Sequence, residues 1–345
     1  SPVLFGQKYL IPLPTHCPEE RQRRRAAFRN ERAYYHRTCS RSGKKLISIY
    51  PPETEFPVYS AEVFWSDDWD ALDFGCSFDF SRPFFEQFYR LQNRVPRLYF
   101  SSTNLENSEY CNHAGNMKNC YLIIGSLNSE GCLYGMRVIY CRDCVDCLWV
   151  DRCELCYECV NCERCYDVAY AFDCKDVHDS RWVRHCRSSH DLLFCLGVQQ
   201  GCYQVLNKQL SREQFLSFKE ELFQSPALMN DYESQFSKLL AQTPVPALVA
   251  YRTEDCTGNY LAECRSCFWL FDAQRCEDVR YGYDAVGVKN SMDVYSLYDA
   301  ELCYEMYSGS MGMFHCLFTR DCWPGQELLY CDHCFNCASC LGCIG

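Results

Sequence analysis

The stretch CRDCVDCLWVDRCELCYECVNCERC, from Cys141 to Cys165, puts a cysteine on every third residue, with Val150 filling the one gap. The phase extends outward in both directions. From Cys111 to Cys195 every cysteine keeps it: Cys111, Cys120, Cys132, Cys141, Cys144, Cys147, Cys153, Cys156, Cys159, Cys162, Cys165, Cys174, Cys186 and Cys195. Between Ser108 and Gly201 the remaining positions of the phase carry only Ser, Ala, Met, Ile, Gly, Val and Leu. No charged or aromatic side chain enters it, although the chain is 23% charged and 15% aromatic. A period of three matches neither an amphipathic helix at 3.6 nor a strand at 2. It matches a solenoid whose rungs turn a corner every three residues, each side sending one small side chain inward. Bundled polyproline II strands share the period, but this block is poor in Pro and Gly. Cysteine separations of 12 recur (Cys120/Cys132/Cys144/Cys156, Cys141/Cys153/Cys165, Cys162/Cys174/Cys186) and select a four-sided 12-residue rung. Separations of 9 are about as frequent and keep a 9-residue rung as the alternative. The expected fold is mainly β: a right-handed β-solenoid with a cysteine-lined core.

The pattern returns from Gly258 to Met306, slips by one residue, and runs on from Ser310 to Cys343. Twenty-five of the 30 cysteines lie on this lattice, leaving Cys17, Cys39, Cys76, Cys202 and Cys256 off it. Two runs occupy five consecutive inward positions: Cys153, Cys156, Cys159, Cys162, Cys165, and Cys331, Cys334, Cys337, Cys340, Cys343. On a four-sided rung, four consecutive inward thiols converge from four directions. That is the ligand set of a structural zinc or, as its alternative, an iron–sulfur cluster. Cys141, Cys144 and Cys147 form a three-sided version. Two other readings of the thiols stand beside metal. Stacked rungs about 4.7–4.9 Å apart fall within the Cα separation that a disulfide tolerates. Free cysteine is also a small buried hydrophobe, interchangeable here with Val, Ala and Ser, and this needs no cofactor. A metal reading places the chain in a reducing, cytoplasmic compartment; a disulfide reading places it outside the cell or at its surface.

Length and composition bound the remainder. The 345 residues carry 48% hydrophobic residues and a net charge of −11, which excludes a disordered chain and argues against a general nucleic-acid coat. No run of 18 apolar residues is present, so no membrane span is expected. Four segments are expected: an aromatic and basic head over 1–104, a first cysteine block over 105–205, a helical insert and linker over 206–248, and a second block over 249–345. In the head, Arg21 to Arg37 lacks Pro and Gly and reads as one helix. Its Arg21, Arg24, Arg25, Arg29 and Arg32 share much of one face. Binding of RNA or phosphate is the sharper reading of that face. Pairing with the acidic segment Trp65–Asp73 is the plainer one. A second helix is expected from Pro83 with Ser81 as N-cap, its apolar side capping the first rung. In the insert, Ser211 and Gln214 form a capping box ahead of a helix carrying Phe215, Leu216, Phe218, Leu222 and Phe223. A further helix over Met229–Leu240 completes a hairpin that caps the first block. The last residues stop in mid-lattice with no cap, so the expectation is either that the chain continues or that its last rung stacks end to end on another molecule, which would make filaments.

Several long motifs resemble one family. They are CPEERQRRRAAFRNE (Cys17–Glu31), FWSDDWD (Phe64–Asp70), FDFSRPFFEQF (Phe78–Phe88), ELCYEC (Glu154–Cys159) and NKQLSREQ (Asn207–Gln214). Together they are similar to uncharacterised cysteine-rich Cys-x-x-Cys repeat proteins of ultrasmall candidate-phylum bacteria, whose head resembles a zinc ribbon with two Cys-x-x-Cys knuckles. Here Glu20 stands where the second knuckle would place its second cysteine, so the head is degenerate as a zinc site. The resemblance implies no activity. Nor do the residues: the eight histidines form no His-x-x-x-His pair with a matched acid, and no phosphate loop or nucleophile elbow appears. His178, His185 and His190 fall on outward phases. The sequence therefore reads as a non-enzymatic, metal-binding repeat scaffold, with no small-molecule substrate. Its rivals are a disulfide-stapled structural or filament-forming solenoid and, more weakly, an RNA- or phosphate-binding adaptor.

Overall fold

The computed structural model describes residues 15–27, 30–151 and 156–244. In the second block it describes 250–254, 256, 261–262, 281–282, 287, 289–294, 301–302, 304–305, 312, 314, 316–320, 324–332 and 336–344. At 149–151, 161–163, 250–251 and 262 it describes the backbone alone. The chain divides into two compact units, Phe100–Val245 and Ser1–Tyr99 with Pro246–Gly345.

The first unit is a β-solenoid of about eight turns. Its strands, from Ser102–Glu106 to Cys202–Val205, stack in parallel and in sequence order. Registers such as Ala114↔Ser126, Val138↔Val150, Val168↔Ser180 and Leu192↔Gln204 all advance by 12 residues. The 9-residue alternative is thereby excluded. The expected inward phase is the core: Cys132, Val138, Cys159, Val168, Val177, Cys186, Leu192 and Cys195 are fully buried.

The corners obey a second rule, which the sequence reading did not extract. Every third residue from Asn104 to Asp146 and again from Arg164 to Leu206 has a positive φ, between 45° and 70°, as does Glu158 between them. These residues immediately precede the inward ones. A left-handed backbone crowds the side chain against its own carbonyl, costing roughly 1–2 kcal/mol for most residues and more for β-branched ones. Accordingly the corner phase from Asn104 to Leu206 contains no Val, Ile or Thr, while Asn, Asp and Gly recur on it. Ladders of identical or stacked side chains offset the cost. Asn104 donates to Asn116 and Asn116 to Asn128, each at 2.9 Å, and Trp182 stacks between Tyr170 and Phe194 at 5.0 and 4.7 Å.

Tight three-residue sides also explain why the core is made of cysteine and serine. The other two residues of each side bond neighbouring rungs through the backbone, as in Glu109 N–H to Cys120 O and Leu122 N–H to Glu109 O, both 3.1 Å. Where Ser stands one rung earlier, its side chain takes the inward residue's own N–H: Cys120 N–H donates to Ser108 Oγ at 3.0 Å and Cys141 N–H to Ser129 Oγ at 3.1 Å. Ser129 Oγ in turn donates to Leu127 O and Val138 O. A thiol does the same. Cys147 accepts the N–H of Cys159 and donates to Val145 O at 3.2 Å and Cys156 O at 3.5 Å. A buried N–H without a partner is costly, so a group that both accepts and donates is favoured over Val or Ala. Interchangeability with Val and Ala is thus only half of the explanation; the thiols stitch one rung to the next.

The end of this solenoid is closed by two helices, Arg212–Gln224 and Pro226–Gln242, the second longer at both ends than expected because Ser225 caps it and Pro226 opens it. The capping box at Ser211 and Gln214 is present. Phe215, Leu222 and Phe236 pack on Leu193, Phe194 and Val205, the capping role expected of the insert.

In the second unit the head helix is shorter than Arg21–Arg37: it spans Pro18–Ala26, and Tyr35–Thr38 is a strand paired with Lys45–Ser48. Tyr34, Tyr35 and Thr38 are residue types that favour a strand over a helix. A second helix spans Phe84–Gln92 with Pro83, not Ser81, at its N-cap. Ser81 is instead engaged by Asp79, which accepts both its N–H and its hydroxyl. Phe84 and Phe85 lie against Tyr330, and a Cβ on Gly342 would come within 2.7 Å of Phe84, so this helix sits on the second cysteine block. That block keeps the coil. Leu317 pairs with Leu329, Tyr281 N–H donates to Met292 O, and Phe318 N–H to Leu329 O. The expected one-residue slip is visible as well, because Leu302 and Glu305 donate to Phe314 and Leu317, one residue farther along than elsewhere.

Candidate metal centre

Segment 328–332 is tied to 338–343 by Tyr330 N–H to Leu341 O at 2.8 Å and Asp332 N–H to Cys343 O at 3.3 Å. Cys331 and Cys343, twelve residues apart, therefore occupy one column of successive rungs. Cys340 stands one side earlier. The sulfurs of Cys331, Cys340 and Cys343 all lie within 4.8 Å of one another. Cys331 is buried, Cys340 half-buried and Cys343 exposed, so the group opens to solvent. The three thiols that meet are drawn from two rungs. Of the five expected ligands, Cys337 is half-buried outside the group, and Cys334 lies outside the described residues.

The base of the group is held by a buried carboxylate. Asp332, buried beside Cys331, accepts from Gln92 at 2.6 Å and Arg97 at 2.8 Å, and Arg320 lies 2.8 Å from its other oxygen. Arg97 also covers the Phe56 ring at 4.8 Å. A second buried aspartate, Asp293, pairs with Arg21 and Arg25, and Arg21 lies over Tyr281. Burial holds the Asp293 carboxyl above its ordinary range despite the two guanidinium groups. Neither acid was singled out from the sequence. The arginine helix is corrected by the same contacts: Arg21 and Arg25 are buried against Asp293, not against Trp65–Asp73. Arg24 and Arg32 are exposed, and Arg29 lies outside the described residues. The five do not form one exposed basic face.

A thiolate tetrahedron around zinc, with bonds of about 2.3 Å, separates its sulfurs by roughly 3.8 Å. Sulfurs within 4.8 Å reach that spacing by small side-chain rotations. Burial raises the Cys340 thiol above its ordinary value, and the nearby Cys337 and Cys343 add to this. Binding of a metal there releases protons, so affinity rises with pH.

The other expected ligands behave differently. Cys141, Cys144, Cys147, Cys156, Cys159 and Cys165 are buried in the first block, Cys153 lies outside the described residues, and of Cys162 only the backbone is described. Among the described residues no three of these sulfurs converge as the C-terminal three do. Cys144 is bonded to the thiols of Cys132, Cys141, Cys147 and Cys156, which together with burial pushes it well above the ordinary thiol range. Burial, with a smaller push from the neighbouring Cys186, lifts Cys195 to about 12. No disulfide joins two of the described cysteines. Among the described residues no helix is long and apolar enough to cross a membrane.

No protein-family model matches this chain, and no curated protein is similar to it. The resemblance to the candidate-phylum repeat proteins rests on motifs alone. What stands is a cysteine-rich β-solenoid protein.

Proposed function

We propose that this protein is a non-enzymatic scaffold whose second cysteine block binds one thiophilic metal ion, zinc, through Cys331, Cys340 and Cys343. The mutual approach of these three sulfurs within 4.8 Å carries the reading. Zinc suits a set of thiolates at neutral pH, and the fourth position is left to water or to Cys337. Asp332 and its three partners fix the backbone of Cys331, so part of the ordering cost is met before the ion arrives. The role is structural: the ion joins two successive rungs.

The test is a zinc titration of the reduced full chain with a competing chromophoric chelator, followed by elemental analysis. The parent is expected to hold at least one zinc per chain, and a C331S/C340S/C343S chain one fewer, with at least 100-fold weaker retention at that site. Equal stoichiometry in the two chains overturns the reading. Visible absorbance of an iron-reconstituted sample that is lost in the same variant assigns the group to an iron–sulfur cluster instead.

A further inference from the structure

Among the described residues the exposed cysteines are Cys17, Cys76 and Cys343. Cys343 differs from the other two, because two further sulfurs, those of Cys331 and Cys340, lie within 4.8 Å of its own. These two neighbours are held unequally. Cys331 is buried, donates to Leu328 O at 2.9 Å, and adjoins Asp332, which Gln92, Arg97 and Arg320 fix in place. Cys340 is half-buried and donates to the carbonyl of the exposed Ala338 at 3.1 Å, a group that water can serve instead. It stands three residues before Cys343, in the order Cys340-Leu-Gly-Cys343, and segment 336–344 contains no helix or strand. A disulfide brings two sulfurs to about 2.05 Å and tolerates a Cα separation of roughly 4.4–6.8 Å. Closing Cys343 onto Cys340 rearranges this irregular margin, whereas closing it onto Cys331 draws a buried thiol from its carbonyl. In the first block the inward thiols are buried and bonded to the backbone, so an oxidant in solution meets Cys343 before it meets them.

We propose that Cys340 and Cys343 are a modification site, joined by hydroperoxides into a reversible disulfide that releases the zinc of the C-terminal thiol group. Bond formation stands on the geometry of the two thiols alone, while the release rests on the zinc reading given above. Cys343, having lost its proton, attacks one oxygen of hydrogen peroxide. An S–O bond forms, the O–O bond breaks, and the departing hydroxide takes up that proton as water, leaving a sulfenic acid. Cys340, deprotonated in turn, attacks the Cys343 sulfur. The S–S bond forms, the S–O bond breaks, and the second hydroxide leaves as water with the Cys340 proton. Two thiols and one peroxide thus give one disulfide and two waters; each sulfur is oxidised by one electron and each peroxide oxygen reduced by one. Two of the three ligands are consumed, and the single thiol left at Cys331 is not a zinc site. A thiol reductant reverses the change and restores the ligand set.

The experiment uses the full chain carrying C17S/C76S, which leaves Cys343 as the exposed thiol among the described residues. Zinc-loaded and zinc-free samples are treated with hydrogen peroxide, remaining thiols are alkylated, and disulfides are mapped by mass spectrometry without reduction. Released zinc is read with the chromophoric chelator. The first disulfide is expected to be Cys340–Cys343, with one zinc equivalent released per bond formed and taken up again after reduction. Cys343→Ser should slow its appearance at least 10-fold, Cys340→Ser should leave a Cys343 sulfenic acid that dimedone traps, and Cys331→Ser should still form the bond. Far-UV circular dichroism checks that the substitutions leave the coil intact. A first disulfide between any other cysteines, an undiminished rate in Cys343→Ser, or zinc retained by the disulfide form overturns the proposal. A chain that takes up no zinc but forms the Cys340–Cys343 bond refutes the zinc reading and supports the modification site.

Discussion

The two cysteine blocks place the same residue on the same inward phase, yet the thiols do different things. In the first block Cys132, Cys147 and Cys186 are locked between rungs, each donating to a carbonyl two residues back and accepting an N–H from the rung ahead. In the second, Cys331, Cys340 and Cys343 gather at a margin where solvent reaches. The first block is closed by its own helices, whereas the second is held by buried aspartates reaching arginines of the head. Cysteine on the lattice is therefore not one chemical statement. Sulfurs of both blocks bond the backbone, and in the first block Cys144 also touches four other thiols, but among the described residues only Cys331, Cys340 and Cys343 lie mutually within 4.8 Å.

The most damaging way to probe this contrast is to remove the acid that anchors the second block. Asp332→Ala strips Arg97 and Arg320 of their buried counter-charge, and breaking such a pair costs about 3–5 kcal/mol. Hydrogen exchange is expected to show lost protection at 328–332 and 338–343 with the first block unchanged, and zinc retention at the C-terminal thiols should fall. Equal loosening of both blocks would dissolve the distinction between them. A smaller effect is expected inside the first block. Cys132→Ala leaves the Cys144 N–H without an acceptor, at about 1–3 kcal/mol, while Cys132→Ser restores the bond and most of the stability. Urea unfolding of the two variants checks this, and identical losses would mean that volume, not hydrogen bonding, selects cysteine.

The smallest effect belongs to a cysteine on neither block. Cys39 is buried in the head hairpin, where burial raises its pKa, but hydrogen bonds from Ser42, Ser60 and Arg41 outweigh that and bring it from 9.0 to about 7. A depressed thiol pKa stabilises the folded state fully above the unfolded value, and the contribution fades as pH falls through about 7. Head stability is expected to rise modestly between pH 7 and pH 9, and to lose that slope in Cys39→Ser. A slope that survives the substitution assigns it to another group.

Much of this was readable in advance because the period of three is a local rule repeated many times. The 12-residue rung, the slip near Met306, the capping box at Ser211 and the capping role of the insert each depend on neighbours in sequence or one turn away. The corner rule was equally legible, since the absence of Val, Ile and Thr from one phase is a property of the string, but the phase that stood out was the inward one. The head was misread for the opposite reason. Arg21 finds its carboxylate 272 residues away and Arg97 its own 235 residues away. An arginine with a distant buried partner is spelled the same as one that waits for phosphate.

The sequence by itself determined the coil, because a small inward residue and a left-handed corner every third position leave a chain one way to satisfy its backbone. Only the tertiary structure decided which thiols meet, since convergence depends on the separation of rungs and sides, and the alphabet does not record that distance. It also decided the fate of the arginines. A side chain's chemistry is set by what lies one rung over or across the unit, and for Asp293, Asp332 and Cys343 that neighbour was supplied by the fold.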